Sequence, residues 1–219
     1  ATDKKAEFTL KYSEPENLAF GDGFTLTIRT PDNSMELAVI SYYKDKPRWT
    51  GAVNADWNES GNWTGITNIS EITSTSEITI NSGVLNYPEI STTVYLKSLT
   101  ITSNAKLTMT GGSLTVDKLI CTGNSNFTAT GGTVVFGNSE TDAEFSADYP
   151  DNSSFYNVEI TAGKNFTSSN SMTVTENFTS NGNTTLSSGT LTVSGTTTVS
   201  SGTKMNVKNA DFGGNVTNN

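Results

Sequence analysis

From about residue 66 onward, apolar side chains recur as pairs separated by a single residue. Ile78 and Ile80 form one pair, followed by Leu99 and Ile101, Leu107 and Met109, and Leu114 and Val116. Phe127 with Ala129, Val134 with Phe136, Val158 with Ile160 and Met172 with Val174 continue the series, and Leu191 with Val193 and Met205 with Val207 close it. Between the pairs stand short polar stretches such as SNA, TGG, TAGKN, SNGN and VSG. Period-two alternation in runs this short, bounded by Gly, Asn and Ser, predicts very short strands joined by tight turns.

Strands of three to five residues are shorter than those of ordinary meanders and sandwiches. They suit a solenoid, in which each strand pairs with its equivalent one coil away. Inward residues then stack into apolar ladders, and outward positions carry Thr, Ser, Asn or Lys. The predicted fold is all-β: a right-handed parallel β-helix with roughly twenty residues per coil and about seven or eight coils. A short-strand β-sandwich is the competing architecture. The stretch NSETDAEFSADYPDNSSFYN interrupts the period and reads as an insertion on one edge of the rod.

Two regions precede the coils. In residues 1–47 the segments AEFTLKY, GFTLTIRT and MELAVISYY read as three strands, with PEN, GDG and PDNS as the turns around them. This predicts a small N-terminal antiparallel element, either a cap or the tail of a preceding domain. Residues 48–219 then hold a Trp-rich segment and the β-helix. In RWTGAVNADWNESGNWTG the three tryptophans, Trp49, Trp57 and Trp63, are set among Asn, Asp and Gly. Rings of this size in a loop-like setting cover the end of a hydrophobic core; the alternative is a stacking platform for a carbohydrate, with SYYKDKPRW beside it.

Composition fits the pattern. Hydrophobic residues make up 33% of the 219 and charged residues 16%. Ser and Thr supply roughly a third of the chain from Asn58 on. Thr is both β-branched and polar, which suits the outside of a rod. Thirteen Lys and Arg against 22 Asp and Glu give a net charge of −9, so there is no overall basic face for nucleic acid. No apolar run is long enough for a membrane span. The chain begins ATDKKAEF, without a signal-like apolar core, and ends in GGNVTNN, without a cap. Both features read as a mature protein or an excised fragment, whose C-terminal end is exposed or continues into further coils.

Candidate chemistry is sparse. Histidine is absent, which removes Ser-His-Asp and Cys-His catalysis and most zinc sites. The single cysteine, Cys121, lies in a strand-like run and reads as a small buried apolar residue. The acids gather only in ETDAEFSADYPD, where Glu140, Asp142, Glu144, Asp148 and Asp151 are candidates for calcium. The spacing fits neither an EF-hand nor a Gly-Asp calcium repeat, so a solvated acidic loop is the simpler reading. GDG at Gly21–Gly23 and PDN at Pro31–Asn33 read as hairpin turns rather than a metal loop. Sequons at Asn58, Asn62, Asn68, Asn126, Asn152, Asn165, Asn177, Asn183 and Asn215 follow from the Ser and Thr content. Threonine rows such as GTLTVSGTTTV drift in register and are interrupted by Phe, Lys and Asn, which argues against an ice-binding face.

The segment WTGAVNADWNESGNWT resembles one found in large bacterial secreted and surface proteins, where a W-x-G … D-W-x-x-x-x-N-W pattern precedes a β-helical stretch. GGTVVFGNSETD, SSFYNVEITAGKNFT and SMTVTENFTSNGNTTLSSGTLTVSG resemble the coils that follow it there. These are adhesin-like β-helix proteins of Gram-negative, especially Bacteroidota-type, bacteria. The resemblance spans about residues 48–216. It implies an extracellular or cell-surface, outer-membrane-attached structural module that meets surface glycans or other proteins, with no catalytic residues to carry over. A carbohydrate-binding module is the second expectation and a polysaccharide-degrading β-helix enzyme the third.

Overall fold

Alternation becomes architecture in the computed structural model, which describes residues 21–29, 36–140 and 142–219. The chain divides into two compact units, residues 1–46 and 47–219. In the first, Gly23–Arg29 pairs antiparallel with Glu36–Tyr43. Phe24, Leu26 and Ile28 face Tyr42, Ile40 and Ala38 on one side of this ribbon. The expected strand AEFTLKY and the PDNS turn lie outside the described residues.

The second unit is a parallel β-solenoid of about seven turns with three faces. One face stacks Glu89–Ile90, Lys106–Met109, Asn126–Ala129, Ser153–Ser154 and Met172–Val174, joined across the last gap by the bridge from Phe155 to Val174. It continues in the second halves of Asn183–Val193 and Met205–Phe212. The next face stacks the first halves of Thr93–Ile101 and Ser113–Cys121, then Thr133–Phe136, Asn157–Ile160, Phe178–Ser180, Thr197–Val199 and Val216–Asn218. The last begins at Glu77–Ile80, takes the second halves of Thr93–Ile101 and Ser113–Cys121, and runs on through Asp142–Ala147, Asn165–Ser168 and the remaining halves. Register partners in successive coils lie from 18 positions apart, Ser168 to Leu186, to 26 apart, Phe127 to Ser153.

Each predicted pair up to Leu191 and Val193 points inward and is buried; Met205 and Val207, in the last coil, are half-buried. The ladder Ile90, Met109, Ala129, Phe155, Val174, Val193 and Phe212 runs through seven successive coils. Burying a side chain of this size contributes about 1.5–3 kcal/mol, so the core grows with every coil added. Midway along it, Phe155 meets Phe127, Phe136 and Phe145 with ring centroids 5.4, 6.2 and 5.1 Å away.

The acidic stretch differs from expectation. DAEFSA is not a loop inserted at an edge but a full strand, Asp142–Ala147, in the body of a face. Ala143, Phe145 and Ala147 alternate inward and fill the core, which draws the segment into the stack. The surplus described residues of this long coil sit at its corners, around residues 137–140 and 148–152. Its register is offset: Phe145 faces Leu119 on one side and Ser168 on the other.

Polar ladders tie the coils from outside. Asn157 Nδ2 donates to Gly132 O at 3.1 Å, Asn177 donates to Asn157 Oδ1 through both its backbone N–H and Nδ2, and Thr196 N–H donates to Asn177 Oδ1 at 3.0 Å. A second row links Asp142, Asn165, Asn183 and the Lys204 N–H in the same manner. Tight corners need glycine where coils touch. Gly112 has φ +64°, and a Cβ there would lie 2.1 Å from Thr92 O. No helix among the described residues is long and apolar enough to cross a membrane.

Candidate functional site

The tryptophan segment folds around one buried asparagine. Asn62 is wholly inaccessible. Its Oδ1 accepts from Val53 N–H and Asn54 N–H, and its Nδ2 donates to Asn54 Oδ1 and Asp56 O. The loop so closed delivers three rings to one place. Trp49 and Trp63 are register partners on the antiparallel pair Arg48–Trp49 and Trp63–Thr64. Trp63 stands edge-on to Trp49 at 5.1 Å and to Trp57 at 4.8 Å, favourable aromatic geometry. The indole N–H groups are used internally: Trp49 Nε1 donates to Asn86 O at 2.8 Å and Trp63 Nε1 to Trp57 O at 2.9 Å.

Trp49, Trp57 and Trp63 are only 1%, 2% and 5% exposed. Sugar stacking needs an open ring face, and none of the three presents one. All three rings belong to the buried core cluster. The physical reason is the mutual packing of the rings, which consumes the faces a ligand would use.

The calcium candidates are also not brought together. Asp142 and Glu144 project outward from one strand, and Asp142 Oδ1 accepts from Asn165 Nδ2 at 3.1 Å. Asp148 lies past the strand end, where Oδ2 accepts from Gly123 N–H at 2.6 Å. Asp151 belongs to the 3-10 turn Pro150–Asn152. Among the described residues no three Asp, Glu, Cys or His side chains form a group able to hold a metal ion. At the other candidate loop, Gly21 N–H donates to Lys44 O and Lys44 N–H to Asp22 O, both at 2.8 Å; this closes an antiparallel ribbon. Pro31–Asn33 lie outside the described residues.

Cys121 is buried, and burial pushes its thiol up from the ordinary value; the hydroxyls of Ser153, which donates to Cys121 Sγ, and of nearby Ser125 act in the opposite direction. This is an inert thiol rather than a nucleophile. Among the sequons, Asn62 is buried, and Asn126, Asn165, Asn177 and Asn183 spend their amide nitrogens on hydrogen bonds within the stack. Paired outward threonines do share a register on one face, Thr108 with Thr110 above Thr128 with Thr130, but Ser154 and Tyr156 break the array at the next coil.

Two features escaped the sequence reading. Asp117 is a fully buried carboxylate, at a corner where the chain passes between faces. It accepts from Asn138 N–H at 2.7 Å, from Ser139 N–H at 3.1 Å and from Ser139 Oγ at 2.9 Å. Asn138 Nδ2 in turn reaches Ser74 O and Leu96 O, so one cluster joins four coils. The other is a groove of about 370 Å³ lined by Trp57, Asn58, Ile69, Ile72, Thr93 and Tyr95, among others. A sequence search for clustered charge could find neither, since Asp117 is isolated and the groove is neutral.

No protein-family model, curated protein or solved structure matches this chain.

Proposed function

We propose that this chain is a structural module of a secreted or surface-displayed bacterial protein, a rod that spaces its neighbours and offers a hydroxyl-covered face for weak, repeated contacts. The observation that carries this reading is the pair of outward asparagine rows, Gly132–Asn157–Asn177–Thr196 and Asp142–Asn165–Asn183–Lys204, laid over an unbroken apolar ladder. Between residues 132 and 204, side-chain bonds from one coil to the next hold the stack at constant pitch. A spacer requires that constancy. Repetition of identical outward groups raises avidity without a deep pocket. The resemblance of the tryptophan segment and coils to adhesin-like surface proteins supports the same reading.

The test is a distance. Thr93 and Asn215 are exposed and lie in one outward row, six strand spacings apart, or roughly 29 Å. Spin labels on Thr93→Cys and Asn215→Cys, in a Cys121→Ala background, are expected to give a narrow distribution near that separation. A broad distribution would remove the rigid rod. Release of reducing or unsaturated ends from neutral or acidic polysaccharides would replace it with an enzyme. Antibody labelling of intact producing cells tests display.

A further inference from the structure

We propose that the groove beside Tyr95 is a binding subsite for a neutral saccharide about two sugar rings long. Tyr95 is unusual in its row. Its register partners outward along the face are Thr115, Val135, Glu159, Thr179, Thr198 and Thr217. Only the first strand of this face carries an aromatic there, and it is 53% exposed. An exposed ring costs solubility and contributes nothing to the core, so its position on the wall of a cavity is the informative fact. Ile69, Ile72 and Val94 complete an apolar side, while Asn58, Thr73, Ser74 and Thr93 supply polar groups. Such a mixture suits a pyranose, which has an apolar ring face and a hydroxyl rim.

The backbone adds directional groups. The coil before Thr93–Ile101 supplies Glu77–Ile80, which pairs only with Ser98–Ile101. Among the described residues no strand pairs with the same edge of Thr93–Leu96. Leu96 O is taken by Asn138 Nδ2, and the rest of this edge, at Thr93, Val94 and Tyr95, lies beside the groove. It is bounded at both ends: Asn58 Nδ2 donates to Thr92 Oγ1 at 2.9 Å, and Lys97 N–H donates to Ser76 O at 2.9 Å. Four residues of strand span roughly 13 Å. The groove offers an extended peptide too short a free edge to add as a strand. It does accept a short oligosaccharide or the end of a chain. The lining residues carry no charge and the protein's net charge is −9, so the sugar is neutral rather than acidic.

This site is independent of the spacer reading, which the distance measurement tests separately. The experiment is saturation-transfer NMR and calorimetric titration of the whole chain against disaccharides to hexasaccharides of β-1,4-glucan, α-1,4-glucan, β-1,4-mannan and β-1,4-xylan. At least one is expected to bind with Kd near or below roughly 1 mM. Tyr95→Ala should weaken that binding at least about tenfold, while Tyr95→Phe, which keeps the ring, stays within about threefold. Thermal melts of both variants are expected to match the parent, because the side chain lies outside the core. Failure of every sugar to bind overturns the proposal. So does equal binding by parent and Tyr95→Ala, or binding of extended peptides in place of sugars.

Discussion

The side-chain amide of Asn170 pairs with both backbone groups of Ala147: it accepts the Ala147 N–H at 3.0 Å and donates to the Ala147 carbonyl at 2.6 Å. The cause is the offset in register at Asp142–Ala147. That strand pairs with Lys118–Cys121 through its last four residues but with Asn165–Ser168 through its first four. Ala147 therefore has a strand on one side and none on the other. An asparagine from the following corner stands in for the missing strand and allows coils of unequal length to stack without leaving a buried backbone unpaired.

Replacing Asn170 with Ala should expose this directly. Two backbone groups of a buried residue lose their partner, which costs about 1–3 kcal/mol. Urea denaturation is expected to show a lower midpoint with an unchanged slope. Asn170→Asp, which keeps the acceptor and loses the donor, should fall between the two.

Asp117→Ala removes the acceptor of a cluster joining four coils. Hydrogen bonds to a charged group are each worth about 1.5–3 kcal/mol, and the stranded N–H groups of Asn138 and Ser139 add to the loss. The expected result is a drop in melting temperature larger than that of any exposed Asp→Ala change, such as Asp211→Ala, measured in parallel by calorimetry.

Phe155→Ala opens a cavity where four aromatic residues meet, at the middle of the rod. The expected cost is about 3–5 kcal/mol in chemical denaturation. Phe155→Leu should recover more than half of it. Equal stability of Phe155→Ala and parent would contradict the packing described.

Cys121 sets a pH dependence of known sign. Burial raises its thiol pKa in the folded state, so on raising pH the unfolded chain releases its proton first. The cysteine's contribution is fully present below the unfolded value, about 8.5, and is lost as pH rises through the folded one. Parent stability under reducing conditions should therefore fall more between pH 7 and 10 than that of Cys121→Ala. The native thiol should also resist a disulfide reagent until the protein is unfolded.

Much of this protein was legible in its residues because a solenoid repeats a local rule. The apolar pairs, from Ile78 and Ile80 to Leu191 and Val193, identified inward positions without knowledge of any partner, since alternation alone assigns a side chain to one face of a strand. Thr and Asn on the outside, and the buried character of Cys121, followed from the same rule. The limits of the rule are equally specific. Ser168, Ser180, Thr184 and Thr197 also point inward and are buried, and a search for apolar pairs passes over them. Ser180 and Thr184 are admissible because their hydroxyls meet at 2.8 Å across the corner, a contact that exists only once the strands are stacked.

What the tertiary structure decided was which coil lies against which, and by how much each is shifted. Coil lengths vary at the corners, and a corner's path depends on its neighbours: Asn138 bonds to residues 42 and 64 positions away. The same dependence made the acidic run a strand rather than a loop, enclosed Trp49, Trp57 and Trp63 in one another's faces, and left Tyr95 alone on an open edge. Alternation is a property of one strand and can be read from a single stretch of chain. Register and enclosure are properties of several strands together, and no single stretch contains them.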